Sequence, residues 1–168
     1  MADPSTILPY NPSPTSLPPN RRYILSHNPA GKSVIHSSPP QLYHGRAGVG
    51  GMARSYATAC LPAVLAGDRD VAEYLDEGNK RTGFKGTEIV VGPEEGGKGE
   101  GEGGANLVVV DIAPGGVSQM HRTISIDFSI CVLGVVQMEL DGGELITLNP
   151  GVSVVPLFLC SIFVRCCP

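Results

Sequence analysis

Between Ala105 and Leu148 the chain is cut into short apolar runs by glycine-rich turns, and this punctuation constrains the fold more than any other feature. ANLVVVDIA ends at Pro114-Gly115-Gly116, SQMHRTI leads into DFSICVLG, and VVQMEL is joined to ELITL through Asp141-Gly142-Gly143. Runs this short, roughly eight to ten residues apart, read as strands of a small sandwich or barrel. A parallel α/β sheet would need helical crossovers that have no room here. The 22 glycines and 15 prolines among 168 residues are too many for a helical bundle, and 42% hydrophobic content is too much for wholesale disorder. A mainly β fold with one short helix is therefore expected.

The upstream half fits the same reading. Residues 1–20 carry six prolines and little periodicity, so a disordered Pro-rich arm is expected; its PxxP at Pro9 and Pro12 is a chance-level match. RRYILSH and KSVIH read as strands around an Asn28-Pro29-Ala30-Gly31 turn. The Ala30–Ser33 stretch AGKS is not a phosphate loop, since Ser26 stands where the first glycine belongs. Gly45, Gly48, Gly50 and Gly51 do not have dinucleotide-binding spacing. They feed a strand from about Met52 to Leu61, in which period-two alternation puts Arg54, Tyr56 and Thr58 on one face. Arg54 and Tyr56 there face either a substrate pocket or solvent. Asp68–Asp76 reads as a helix with Asp68 as N-cap, Val71, Tyr74 and Leu75 as its apolar stripe, and Gly78 beyond its end. Residues 92–104, GPEEGGKGEGEGG, read as a flexible solvated loop, without the DxDxDG framework of a calcium site.

Chemistry concentrates in PGGVSQMHRTISIDFSICVLG. Gly115 is followed after five residues by His121, then after one by Thr123, after three by Asp127 and after six by Gly134. His121 and Thr123, two apart on a strand, face the same side. Asp127, Ser129 and Cys131 share a face of the next strand. An imidazole and a carboxylate converging inside a barrel are ligands for Fe, Mn, Zn, Ni or Cu; without metal, His121 can act as a general base. The spacing resembles the first signature of the cupin superfamily, and the wider stretch from Arg21 to Thr123 looks like small single-domain fungal cupins. The resemblance implies a cupin-type (jelly-roll) β-barrel over residues 21–151. It also implies an oxidoreductase acting on a small aromatic or polyketide intermediate of secondary metabolism. His121 would be catalytic and, with Asp127, would hold a divalent metal ion, while Thr123, Arg54 and Tyr56 would contact substrate. Alternatives are a metal-free lyase or isomerase (decarboxylase or dehydratase) and a truncated, non-catalytic cupin. Pairing of sheet edges into a homodimer is a further implication of the resemblance.

Two positions depart from the signature: Thr123 replaces its second histidine and Asp127 its glutamate. After Leu148-Asn149-Pro150-Gly151 the cupin pattern would supply another histidine from a facing strand. Here VSVVPLFLCSIFVRCCP follows, and no histidine comes after His121. A barrel lacking its last strands, with an unpaired apolar edge, is the expectation, and 152–168 reads as an atypical apolar tail. Leu145–Val164 has no charged residue, but Asn149, Pro150, Gly151 and Pro156 argue against a membrane span. Gly151-Val152-Ser153 can be encoded by GGN-GTG-AGT, which contains a splice-donor-like GTGAGT, so the tail is expected to be translated intron. Five cysteines without CxxC spacing and the lack of a signal-peptide pattern point to a reducing, cytoplasmic setting. A formal net charge of −4 gives no electrostatic basis for nucleic-acid binding. Sequencing the transcript across the Gly151 codon tests the intron reading; a fully spliced message that still encodes the tail overturns it.

Overall fold

The computed structural model describes residues 6–92, 103–122, 124–156 and 161–166, the last stretch without the side chains of 161–163. Twelve strands are present among the described residues: β1 (Leu8–Tyr10), β2 (Ile24–His27), β3 (Ser33–Ser37), β4 (Tyr43–Arg46), β5 (Gly50–Thr58), β6 (Ala105–Ile112), β7 (His121–Arg122), β8 (Ser129–Ile130), β9 (Val136–Leu140), β10 (Leu145–Leu148), β11 (Ser153–Val154) and β12 (Ser161–Cys166). Helix α1 covers Arg69–Leu75 after a single 3₁₀ turn. The protein is mainly β with one short helix. Its sheets run β1-β4-β5-β6, β10-β9-β12-β7, β11-β8 and β2-β3, all antiparallel, and none closes on itself among the described residues.

Local chemistry explains the hairpins. Asn28 holds the β2–β3 turn by accepting bonds from the Ala30 and Lys32 amides on its side-chain oxygen, both at 3.0 Å, while Gly31 takes φ +73°. In the β9–β10 hairpin Gly143 adopts φ +91°, and the Leu140 and Gly143 amides close the turn. Helix α1 begins and ends near the expected positions, but Asp68 does not cap it. Asp68 sits in the left-handed region at φ 53°, and its carboxylate instead accepts a 2.5 Å bond from the Ser26 hydroxyl, tying the helix start to β2. The helix then buries Val71 and Tyr74 against Ile24, with Tyr56, Leu75 and Phe84 packed around them.

One expectation is corrected and one is refined. The 1–20 segment is not structureless throughout: β1 pairs with β4 from Leu8↔Gly45 to Tyr10↔Tyr43, filling an edge that would otherwise be open. The expected unclosed arrangement holds, but the apolar tail contributes a strand to it. β12, drawn from that tail, lies between β9 and β7, in register from Ile162↔Leu140 to Cys166↔Val136 on one side and through Ser161↔Arg122 and Ile162↔His121 on the other. The second core forms here, from buried Cys131, Met138 and Leu148 with Val136, Leu140, Ile146, Val154 and Val164 against them. Residues 93–102 of the Gly/Glu loop and 157–160 of the tail lie outside the described residues.

Since Met138 is nearly fully buried at the centre of this cluster, Met138→Ala is expected to destabilise the protein by about 2–5 kcal/mol. A chain ending at Pro156 should lose cooperative unfolding of the same sheet, because β9 and β7 then lose their shared partner. Urea titration followed by far-UV circular dichroism reads both; an unchanged transition in the shortened chain would show that β12 is dispensable.

Candidate functional site

Arg54 lies on β5 and is almost wholly buried, at 4% exposure. Its guanidinium donates to three carbonyls of the segment that follows α1: Gly83 at 2.9 Å, Lys80 at 3.3 Å and Glu88. Burial lowers its pKa, against the nearby Glu88 charge, which raises it. Beside it His44, Met52, Asn106 and Val108 line a cavity of about 20 Å³, room for about one water molecule. Arg54 Nε and Asn106 Oδ1 are buried there without a hydrogen-bond partner. The pKa of His44 is lowered, first by burial and then by the Arg54 charge, which favours a neutral imidazole.

Tyr56 does not join this group. The β5–β6 register slips between Arg54 and Tyr56, so that Arg54 stands opposite Val108 and Tyr56 opposite Leu107. Adjacent residues of β6 face opposite ways, so the two side chains leave the sheet on opposite faces. The one-face expectation for Arg54, Tyr56 and Thr58 is thereby corrected: a bulge at Ser55 inserts one residue and inverts the alternation. Tyr56 packs on Tyr74 with ring centroids 4.8 Å apart and donates a 2.6 Å bond to Asp70 of α1. Burial and the Asp70 hydrogen bond push its phenol pKa up. Both residues serve packing in this structure, and Arg54 alone borders a cavity.

His121 is exposed on β7. Its Nδ1 lies 2.9 Å from the Gln119 carbonyl, which can only accept, so Nδ1 carries the proton and the neutral ring has its lone pair on Nε2. Asp127 is half-buried ahead of β8, where it accepts a 2.9 Å bond from the Ser125 hydroxyl and its amide donates to the Pro156 carbonyl. The two strands belong to different sheets. Thr123 lies outside the described residues. The shared face of Asp127, Ser129 and Cys131 does hold: these positions are half-buried or buried, while Phe128 and Ile130 between them are exposed.

The His121 tautomer suits a metal ligand, which typically donates its other ring N–H to a carbonyl. The rest of a donor set does not follow. Among the described residues no three His, Cys, Asp or Glu side chains come together in a way that could hold a metal ion.

A larger cleft was not legible in the sequence. About 460 Å³ in volume, it lies between the proline arm and the approach to β4, lined by Asn11, Pro12, Asn20, Tyr23, Gln41 and Tyr43 among others. That is the size of a small-molecule site. Its polar groups form a chain: Gln41 donates to Asn20 at 3.0 Å and to Ser55 at 2.6 Å, and Asn20 donates to Tyr43. The Tyr43 phenol is pushed up to about 12, first by burial and then by the Asp111 carboxylate. The alternation of Gln41 and Tyr43 around Leu42 is the available signal in the sequence, and the composition of the covering arm reads as disordered.

Two outcomes are expected. Arg54→Ala strips three carbonyls of their donor and should cost about 3 kcal/mol or more, with faster proteolysis between Lys80 and Glu88. An unchanged denaturation midpoint would refute the clamp. A tyrosine whose pKa is raised on folding stabilises fully below its unfolded value and loses that contribution as pH rises through its folded value. Stability should therefore fall between about pH 10 and 12, and Tyr43→Phe should flatten that slope in unfolding curves. Tyr56, also raised, leaves a residual slope.

No protein-family model matches the chain. It is 33% identical over 135 residues to "Phomopsin biosynthesis cluster protein C'" of Diaporthe leptostromiformis, covering 79% of this chain and 62% of that protein. It is 26% identical over 129 residues to "Oryzines biosynthesis cluster protein J" of Aspergillus oryzae, with 76% and 64% covered. It is 28% identical over 132 residues to "Cupin-domain-containing oxidoreductase fogC" of Aspergillus ruber, with 77% and 56% covered. The chain thus spans less than two thirds of these relatives' length. No helix among the described residues is long and apolar enough to cross a membrane. By sequence the chain is a homologue of fungal secondary-metabolite cluster proteins, one of them named for a cupin domain, in keeping with the spacing from Gly115 to Gly134.

Proposed function

We propose that the protein is an oxidoreductase that acts on a small aromatic or polyketide intermediate in fungal secondary-metabolite biosynthesis. The observation that carries this reading is the likeness over 132 residues to a protein named a cupin-domain-containing oxidoreductase, in a chain with cupin-like spacing from Gly115 to Gly134. The names of the other relatives support the biosynthetic setting. His121 is the residue assigned to proton transfer, since Nε2 is its free basic atom.

The same tautomer favours a second reading, a lyase or isomerase in which His121 Nε2 removes a proton from carbon or oxygen without metal.

The two readings separate in one experiment. Extract from a fungal strain lacking the gene is incubated with purified protein, and the consumed metabolite and its product are compared by mass. A change of two hydrogens or an added oxygen supports the oxidoreductase; an unchanged mass, or loss of water or carbon dioxide, supports the alternative. His121→Ala is expected to lower turnover about 10²- to 10⁴-fold. Full activity in that variant would remove His121 from the chemistry.

A further inference from the structure

The segment between β1 and β2 forms an arch beside the approach to β4. It leaves the β1–β4 ladder at the pair Tyr10↔Tyr43. It returns to the same residue at Asn20, whose side-chain amide donates to the Tyr43 hydroxyl. Both feet of the arch therefore stand on Tyr43, which is 3% exposed. Along the span Pro14 lies against β5, where a Cβ on Gly51 would come within 3.1 Å of the proline ring. A second stretch, Pro39 to Gln41, is held by Arg22, whose Nη1 donates to the Pro39 carbonyl at 2.9 Å and to the Gln41 side-chain oxygen at 3.2 Å. These two stretches line the cleft of about 460 Å³. Hydrogen bonds of partly buried side chains fix both, so the cleft is shaped before anything enters it.

The lining is one-sided in charge. Arg21 is its charged member, and no Asp or Glu among the described residues lines the cleft. Arg21 is exposed and makes no hydrogen bond or ion pair with the described residues. Arg22, by contrast, is engaged with Pro39, Gln41 and the Tyr74 ring, 5.2 Å away. The Asp111 carboxylate that acts on Tyr43 is buried and stands outside the lining. Gln41 uses both amide N–H groups, on Asn20 and Ser55, whereas Asn20 gives one to Tyr43 and keeps the other. The unused polar groups are thus donors: a guanidinium and an amide N–H. Much of the remaining lining is apolar, from four proline rings and Tyr23, which is 57% exposed.

We propose that this cleft binds a small organic acid, with its carboxylate on Arg21 and Asn20 and its apolar body against Tyr23 and the prolines. A guanidinium matches a carboxylate with two parallel N–H donors, and its charge draws anions from solution. A volume of about 460 Å³ lies within the roughly 300–1,000 Å³ of small-molecule sites, far more than an inorganic anion fills. The lining includes no residue of β7 or β8, so the site is distinct from the group assigned to proton transfer at His121.

The test is titration of the isotopically labelled full chain with benzoate, read from backbone amide chemical shifts. Benzamide serves as the neutral isostere and sulfate as the bare anion. Benzoate is expected to shift the amides of Asn20, Arg21, Tyr23, Gln41 and Tyr43 with a dissociation constant of about 1 mM or tighter. Benzamide should bind at the same residues at least about 10-fold more weakly. Arg21→Gln should remove that preference and leave the spectrum otherwise in place, because Arg21 is exposed and unpaired. Tyr23→Ala should weaken benzoate and benzamide alike. No shifts at about 20 mM benzoate, shifts confined to other residues, or a benzoate preference that survives Arg21→Gln each overturn the proposal. Sulfate binding as tightly as benzoate overturns it too, since the apolar wall then contributes nothing. Binding is read without turnover, so these outcomes stand apart from the reaction assigned to His121.

Discussion

The upper half of the structure hangs on the guanidinium of Arg54. A buried cation is tolerable only when its donors are met. Three backbone carbonyls meet those of Nη1 and Nη2, Nε alone being left without a partner, and in doing so hold the chain from Lys80 to Glu88 against the β5–β6 sheet. The backbone of Arg54 works in the same direction, since its carbonyl accepts a 2.9 Å bond from the Tyr74 hydroxyl and so fixes α1 to the same strand. Arg81 repeats the device one step further on, donating to the carbonyls of Ala59 and Gly92. In a region with few large apolar residues, cationic donors hold loops by their carbonyls where a larger domain would use packing. Gly86 is part of this fit: a Cβ there would come within 2.3 Å of the Arg54 guanidinium, so only glycine lets the loop approach.

Far less of this was legible in the sequence than the hairpins were. The β2–β3 turn could be read because Asn28 and Gly31 have a local reason to bend the chain, and α1 because Val71, Tyr74 and Leu75 recur at helical spacing. Both depend on neighbours within a few residues. The bulge at Ser55 does not. Nothing in GMARSYAT marks where one residue will be inserted, and the slip is decided by pairing with β6, some fifty positions away. Alternation therefore placed Arg54 and Tyr56 together when the sheet sends them apart. Asp68 failed as a cap for a similar reason, since the Ser26 hydroxyl on β2 reached its carboxylate first.

The candidate site divides along the same line. The shared face of Asp127, Ser129 and Cys131 is a matter of local alternation and was readable. Whether His121 meets Asp127 depends on how β7 and β8 are assigned to sheets, and the partners of both strands lie beyond Val152. β12 pairs with β7, and β11 pairs with β8, so the tail that reads as foreign to a barrel settles where both residues go. The imidazole is left on an exposed two-residue strand, and its orientation comes from the Gln119 carbonyl two residues before it rather than from a wall of neighbouring donors.

That tail also bears on why one apolar face of the 124–132 segment stays exposed. A sheet face becomes a core only when another layer covers it. Met138, Leu148 and Cys131 obtain that cover from Val164 and Val154, both supplied after Gly151. Ile124, Ile126 and Phe128 do not, because the strands from the tail are already spent on the edges of β9 and β8. One face of the 124–132 segment, with Ser125, Asp127, Ser129 and Cys131, is turned into the molecule, and the other, with Ile124, Ile126, Phe128, Ile130 and Val132, is apolar and exposed. On the inner side the Ser125 hydroxyl donates to the Asp127 carboxylate, while the main chain of the segment is held by amide bonds from Asp127 and Cys131 to the Pro156 and Val152 carbonyls.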